Sequence, residues 1–462
     1  MKSKTNVLAN MSPDEKRSLL KQLISKKEND QEAEAEFDPE PIPDAWYRFE
    51  KFSDYSMLME QAKIFKTLSM DNPYFSPHEG VSDHITRIDG KNLINYSGYN
   101  YLGLSGHPEV SAAAKAAIDL YGTSVSASRI VSGEIPLHRK LEEALAEIHG
   151  TEDALVLVSG YSTNVAVISH LFGPTDLLIH DSLIHNSVIT GCKLSGARRM
   201  TFPHNDWEAL DKLLEENRHA YQRTLVIIEG VYSMDGDIPD LPRFIEIKKK
   251  HKCLLMVDEA HAAGVIGSRG FGSHDHFGIN AADVDIWMGT LSKAFASCGG
   301  YICGSHALIE NLKYNAPGAV LFSVGISPAN TAAALTAALI LKREPERAER
   351  LRARSSLFLK QAKVRGLDTG LASGTGVVSI ILGDSVLCLK LGQKLYQAGI
   401  NVHPIMYPAV PESAARLRFF ITCNLSEEEI VYTIDMLATE LQCLNGKTGN
   451  GITHLGSGAV SS

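Results

Sequence analysis

Between residues 154 and 303 one pattern recurs: a short apolar run, a polar or small residue, then a stretch of helical periodicity. The runs are Ala154–Val158, Leu177–Ile179, Leu225–Ile228, Leu254–Val257, Ile286–Met288 and Tyr301–Cys303. Apolar runs of this length read as strands buried on both faces. Strands that alternate with helices imply an α/β protein with a mostly parallel sheet flanked by helices. Such a sheet binds its ligand at the carboxyl ends of the strands. The residues just past those ends are Ser159-Gly160, His180-Asp181, Glu229-Gly230, Asp258-Glu259 and Gly289-Thr290. Gathered on one edge, they would build one site.

Two of these ends carry distinctive chemistry. Cys253-Leu-Leu-Met-Val-Asp258-Glu-Ala-His261 ends in a carboxylate and an imidazole, and Val284-Asp-Ile-Trp-Met-Gly-Thr-Leu-Ser-Lys293 ends in a hydroxyl and an amine. A buried amine beyond one strand and a carboxylate at the end of another suit pyridoxal phosphate (PLP). The amine forms a Schiff base with the aldehyde, and the carboxylate pairs with the protonated pyridine nitrogen.

A long charged helix, Arg343 to Arg365, is expected to lead into a smaller C-terminal α/β unit. Its candidate strands are Val377–Leu382, Ile400–His403 and Arg416–Ile421. The expected boundaries are an amphipathic helix and acidic linker over 1–44, an N-terminal segment over 45–95, a large domain over 96–338, a small domain over 339–444 and a flexible tail over 445–462. The first helix is signalled by the capping box Ser12-Pro13-Asp14-Glu15 and by Leu19, Leu20, Leu23 and Ile24 at helical spacing.

The chain has 462 residues, 44% of them hydrophobic, enough for a sizeable core. Its formal charge of −9 is local, because Glu28 to Asp44 holds eight acidic residues and no basic one. A nearly neutral body argues against nucleic acid as a partner. No run reaches the roughly 18 apolar residues of a membrane helix, and Met1-Lys-Ser-Lys-Thr-Asn has no apolar run behind it. The seven cysteines form no CxxC pair and read as reduced core residues, not as a disulfide or zinc framework. A cytoplasmic protein is expected.

Taken in order, the motifs Asn100-Tyr-Leu-Gly-Leu, Ser128-Arg-Ile-Val-Ser-Gly, Pro136-Leu-His138, Ser159-Gly-Tyr, Asp181-Ser-Leu-Ile-His185, Glu229-Gly-Val-Tyr-Ser-Met-Asp-Gly236, Asp258-Glu-Ala-His261, Thr290-Leu-Ser-Lys293 and Arg416-Leu-Arg418 resemble the α-oxoamine synthase family. These are PLP-dependent transferases of fold type I, and the resemblance spans about Asn92 to Leu441. It implies condensation of an amino acid with an acyl thioester, loss of carbon dioxide, and an α-amino ketone product. It implies that Lys293 carries the cofactor and moves the Cα proton, that Asp258 holds the pyridinium proton, that His261 meets the 3-hydroxyl, and that His185 stacks on the ring. Gly160, Tyr161 and Thr290 would take the phosphate, and Ser233 would lie beside the ring. Arg418 and Asn100 would hold the amino acid's carboxylate. Strand alternation sends Arg416 and Arg418 to one face, so periodicity leaves both open, and the resemblance selects Arg418.

The chain departs from the family in places. Ser126-Ala127 stand where a Gly-Gly pair is common. Phe322-Ser323-Val324-Gly325 replaces a Ser-Thr segment that reaches the neighbouring subunit's phosphate, which leaves Ser323 as the side chain that could do so in a homodimer. The helix at Ser12–Ile24 resembles linkers that follow carrier domains in modular polyketide synthases, which implies an acyl carrier protein rather than coenzyme A as donor. An aminotransferase shares the Asp/Lys pair, and a partner subunit or PLP-binding module is a non-enzymatic alternative. The Asp181–His185 and Asn100–Leu104 motifs favour the synthase, and the presence of Lys293 opposes the non-enzymatic reading.

Overall fold

The computed structural model describes residues 42–67, 72–407 and 409–448. The helix expected at Ser12–Ile24 and most of the acidic linker lie outside the described residues. The chain divides into two units, residues 1–72 and 73–462. In the first, two short 3-10 turns, Asp44–Trp46 and Phe49–Lys51, precede the helix Ser53–Thr67.

The strands among the described residues all lie in the second unit. They are β1 (Ile85–Ile88), β2 (Lys91–Asn95), β3 (Asp153–Leu157), β4 (Leu177–Asp181), β5 (Arg198–Phe202), β6 (Thr224–Glu229), β7 (Leu254–Asp258), β8 (Ile286–Thr290), β9 (Gly300–Gly304), β10 (Val377–Ile381), β11 (Ile400–Asn401), β12 (His403–Ile405) and β13 (Arg416–Phe420). A seven-stranded sheet runs β3-β9-β8-β7-β6-β4-β5. β9 alone runs against the direction of the other six strands. All residues of β3, β4, β6 and β8 are buried, as expected of a sheet covered on both faces.

Strand alternation divides the core in two. Leu155, Leu178, Leu225, Ile227, Met256, Ile286 and Met288 pack on one face with Val167, Val188 and Ile309. Their sequence neighbours Val156, Ile179, Val226, Val257 and Trp287 pack on the other with Leu141, Leu210 and Phe244. A period of two thus fills both cores from the same strands.

Three expectations need correction. The charged helix runs Glu346–Val364, and Arg343 belongs instead to the end of the helix before it, Pro328–Arg343. Pro345 disfavours helical backbone at Glu344, so the chain breaks there. A strand of the expected small domain is also joined by chain from the expected N-terminal segment. Hairpin β1–β2 forms a sheet with β11, while β10, β13 and β12 form another. The expected strand Ile400–His403 is therefore split at Val402 between two sheets. Finally, the last helix runs from Glu427 to Thr448, past the expected start of the tail. No helix among the described residues is long and apolar enough to cross a membrane. Five cysteines are buried, but Cys298 and Cys443 are exposed rather than core.

Candidate active site

The carboxyl ends of β3, β6, β7 and β8 open into a cavity of about 270 Å³, lined by Gly160, Asn164, Asp258, His261, Thr290 and Lys293 among others. The apolar strands place these residues where their backbones leave the sheet, so a buried scaffold ends in polar side chains.

Lys293 follows β8 in a tight turn, and its Nζ lies 2.6 Å from His261 Nε2. His261 Nδ1 lies 2.7 Å from the Tyr101 hydroxyl. Burial lowers the Lys293 amine to about 8, although Asp258 and Glu229 pull the other way. Burial, and next Lys293, hold His261 well below the usual histidine range. A neutral His261 accepts from the amine at Nε2 and donates to Tyr101 from Nδ1. The Tyr99 ring covers the amine at 5.5 Å.

Asp258 ends β7. Its Oδ2 accepts from Asn164 Nδ2 at 2.8 Å, and its Oδ1 accepts from the Ala260 N–H at 3.0 Å. Asn164 also donates to Ser187 Oγ at 2.9 Å, and Ser187 Oγ lies 2.7 Å from His185 Nδ1. One chain of hydrogen bonds therefore fixes the carboxylate and the imidazole together. Burial lowers His185 as well, against the pull of Asp258. Glu229 sits opposite Asp258 in the β6–β7 register. Burial, with Asp258 beside it, raises the Glu229 carboxyl well above the carboxylate range, so it stays neutral. Its Oε1 is buried without a partner.

The far wall is an anion cradle. Helix Gly160–Leu171 starts there, capped by Ser159. A Cβ at Gly160 would sit 2.8 Å from Thr290 Oγ1, so only glycine leaves room between helix and hydroxyl. Free N–H groups at a helix start and the hydroxyls of Thr290 and Ser292 suit a phosphate. Tyr161 lines the cavity, and its hydroxyl bonds Asn186 and Thr190.

The two arginines of β13 separate here. Arg416 pairs with Asp235 at 2.6 Å. Arg418 donates to the Ser233 carbonyl at 3.0 Å and stacks on Phe420 at 4.7 Å. Its Nε is buried without a partner. It opens onto an adjoining space of about 240 Å³ walled by Tyr74, Tyr99, His403 and Phe420. An arginine with no carboxylate of its own is the one able to accept a substrate carboxylate.

Other expected residues lie elsewhere. Asn100 bonds within the protein: its Oδ1 accepts the Leu104 and Ser105 N–H groups, and its Nδ2 donates to the Ser82 carbonyl and the Asp83 carboxylate. It holds its own loop, as short polar side chains in turns do. Ser233 contributes its backbone, with its carbonyl bound to Arg418 and its N–H bound to Glu229. Ser323 is not on the cavity wall. Its hydroxyl bonds the Val324 carbonyl beside the exposed Phe322. His138 and Arg129 are ties: His138 Nε2 reaches the Ile326 carbonyl at 2.9 Å, and Arg129 pairs with Glu142 at 2.6 Å. Sequence reasoning missed Tyr99, Tyr101, Asn164 and Ser187. Asn164, one turn after Gly160 and just before the apolar Val165–Ile168, was the available signal.

The amine, paired carboxylate, shielding imidazole and phosphate cradle fit PLP and define a fold-type I transferase. The sequence profile of the family "Aminotransferase class I and II" matches residues 91–437. The chain is 40% identical over 382 residues to the 8-amino-7-oxononanoate synthase of Thermosipho melanesiensis, covering 83% of this chain and 96% of that protein. It is 40% identical over 343 residues to the synthase of the same name from Symbiobacterium thermophilum, covering 74% and 87%. Among solved structures, the serine palmitoyltransferase of Sphingomonas wittichii superposes with a TM-score of 0.81 at 31% identity, covering 85% of this chain and 98% of that one. The serine palmitoyltransferase of S. paucimobilis with bound PLP-myriocin aldimine gives 0.81 at 29% identity, covering 85% and 99%. The chain belongs to the aminotransferase class I and II family and, within it, to the α-oxoamine synthases.

Proposed function

We propose that this protein is a PLP-dependent synthase that joins an amino acid to an acyl thioester, releases carbon dioxide and leaves an α-amino ketone. The observation that carries the reading is Lys293, a buried amine beside His261, in the same neighbourhood as an Arg418 that has no carboxylate partner among the described residues. Lys293 would hold the cofactor, with Asp258 at the pyridine nitrogen, His185 against the ring, His261 at the 3-hydroxyl, and Gly160, Tyr161 and Thr290 at the phosphate. When bound, the cofactor supplies an aldehyde and an electron sink. Lys293 Nζ then takes the proton from the amino acid's Cα and later returns one. Its lowered pKa suits both directions. Arg418 holds the carboxylate until it departs as carbon dioxide.

We also read the protein as a homodimer. Ile130, Val131, Leu321, Phe322 and Val324 are exposed. Their two segments are joined by the Gly325 N–H on the Ala127 carbonyl. An apolar patch of this kind marks an interface, and it carries Ser323 towards a neighbour. The donor reading rests on the sequence pattern at Ser12–Ile24, which lies upstream of the family match. A carrier protein raises the local concentration of its acyl chain. Catalytic efficiency with a carrier-bound donor should then exceed that with the coenzyme A thioester by more than about tenfold, or ~1.4 kcal/mol. Equal use of both donors would return the protein to free coenzyme A thioesters.

A further inference from the structure

One charged group near the site takes no part in the chemistry above. Asp181 ends β4 and is fully buried. Its Oδ1 accepts the Leu183 N–H at 2.7 Å, which shapes the turn leading to His185. The same oxygen lies 3.0 Å from His204 Nδ1, and Oδ2 accepts the Asn205 N–H at 2.8 Å. The other ring nitrogen, His204 Nε2, lies 2.9 Å from Asp237 Oδ2. Asn205 Nδ2 reaches that oxygen too, at 2.5 Å.

Asp237 closes a second loop. Its carbonyl accepts the Tyr232 N–H at 3.1 Å, and Gly236 N–H returns to the Tyr232 carbonyl at 2.8 Å. Within this loop lie the Ser233 carbonyl that binds Arg418 and the Asp235 that pairs with Arg416. One imidazole therefore bridges the turn that carries His185 and the loop that seats Arg418.

Each ring nitrogen faces a carboxylate oxygen. Both contacts are hydrogen bonds only if both nitrogens carry protons, so the ring is an imidazolium. Burial alone would lower it, but Asp181 and Asp237 reverse this and raise it to about 10. The groups facing the ring are Asp181, Asp237, the Asn205 amide and the Tyr232 ring, edge-on at 4.4 Å. Asn205 has φ +55°, in the left-handed region that asparagine tolerates better than most residues. That conformation places its backbone on one carboxylate and its side chain on the other.

We propose that His204 is a positioning residue that, by donating to Asp181 and Asp237 together, sets His185 and Arg418 in register with the same bound amino acid. The proposal rests on the reading of His185 and Arg418 given above. A two-substrate condensation needs both walls held at a fixed separation, and an ångström of slip costs up to ~100-fold.

The test is a titration of PLP-loaded protein with amino acid alone, read from the visible band, beside cofactor affinity and melting temperature. His204→Ala should weaken amino acid binding by about tenfold or more while cofactor affinity changes little. Added imidazole should restore binding, since His204 lies near the surface at 14% exposure. Asp237→Ala keeps the Asp181 contact and removes the acceptor that His204 and Asn205 share in the second loop, so it should reproduce the loss even if His204→Ala fails to fold. Amino acid binding like wild type in Asp237→Ala or in folded His204→Ala, or a loss in folded His204→Ala that imidazole leaves untouched, overturns the proposal. Arg418→Ala in the same titration separates the two readings. If it binds normally, the carboxylate assignment fails. If it binds poorly while Asp237→Ala is normal, only the bridge fails.

Discussion

Arg416 and Arg418 stand two residues apart on one strand, and their environments predict opposite consequences of removal. Arg416 is a buried ion pair with Asp235 at 2.6 Å. Deleting one member of such a pair leaves an uncompensated charge and costs about 3–5 kcal/mol of stability. Arg418 is held by the Ser233 carbonyl, the Met234 sulfur and the Phe420 ring, with no carboxylate partner among the described residues, so deleting it strands none. What it loses is the charged contact to the substrate, worth about 2–5 kcal/mol once desolvated. Since Arg418 is only partly buried, the lower half of that range applies, a rise of about 30- to 300-fold in the amino acid's KM at 1.4 kcal/mol per tenfold. Arg418→Ala should therefore raise that KM with little change in melting. Arg416→Ala should lower the melting temperature with a smaller effect on KM. Arg418→Lys keeps the charge but loses the planar fork and the stack on Phe420, and should fall between. Steady-state kinetics at saturating acyl donor, beside thermal melts, read both quantities. A larger KM effect from Arg416→Ala in stably folded protein would refute the assignment.

Three further outcomes follow from the same geometry. Gly160→Val places a branched side chain against Thr290 and should weaken cofactor affinity about tenfold or more, ~1.4 kcal/mol, with the fold intact by circular dichroism. The Lys293 amine must be unprotonated to take the cofactor. With its pKa near 8, the rate at which the visible band grows on adding PLP to cofactor-free protein should fall about tenfold per pH unit below that value and level off above it. A pH-independent rate would count against the buried-amine account. Phe322→Glu should shift the protein towards monomer in light scattering, whereas an unchanged mass would place the interface elsewhere.

The sequence made the central sheet legible because its strands are uninterrupted apolar runs with polar ends. It hid β5, an edge strand whose Arg198, Arg199 and Thr201 are exposed and supply no apolar run. It also hid the hairpin β1–β2, whose sheet partner β11 lies some 300 residues later. Lys293, Asp258, His185 and His261 were legible as motif residues, and the structure brings all four to one cavity. Their supports were not. Asn164 and Ser187 act through distances between two helices, and Tyr101 acts through a contact with His261 across 160 residues of chain. Asn100 sits in a strong motif yet spends its amide on its own loop. Arg416 and Arg418 share a strand face, and only Asp235, far away in sequence, tells them apart.

The most direct test of the whole account is stoichiometry. Protein loaded with PLP is given a carboxyl-labelled amino acid and an acyl thioester, and released carbon dioxide is counted against the product identified by mass. The account predicts one carbon dioxide per α-amino ketone, with both lost in Lys293→Ala. Transfer of the amino group with the label retained would contradict it and make the protein an aminotransferase.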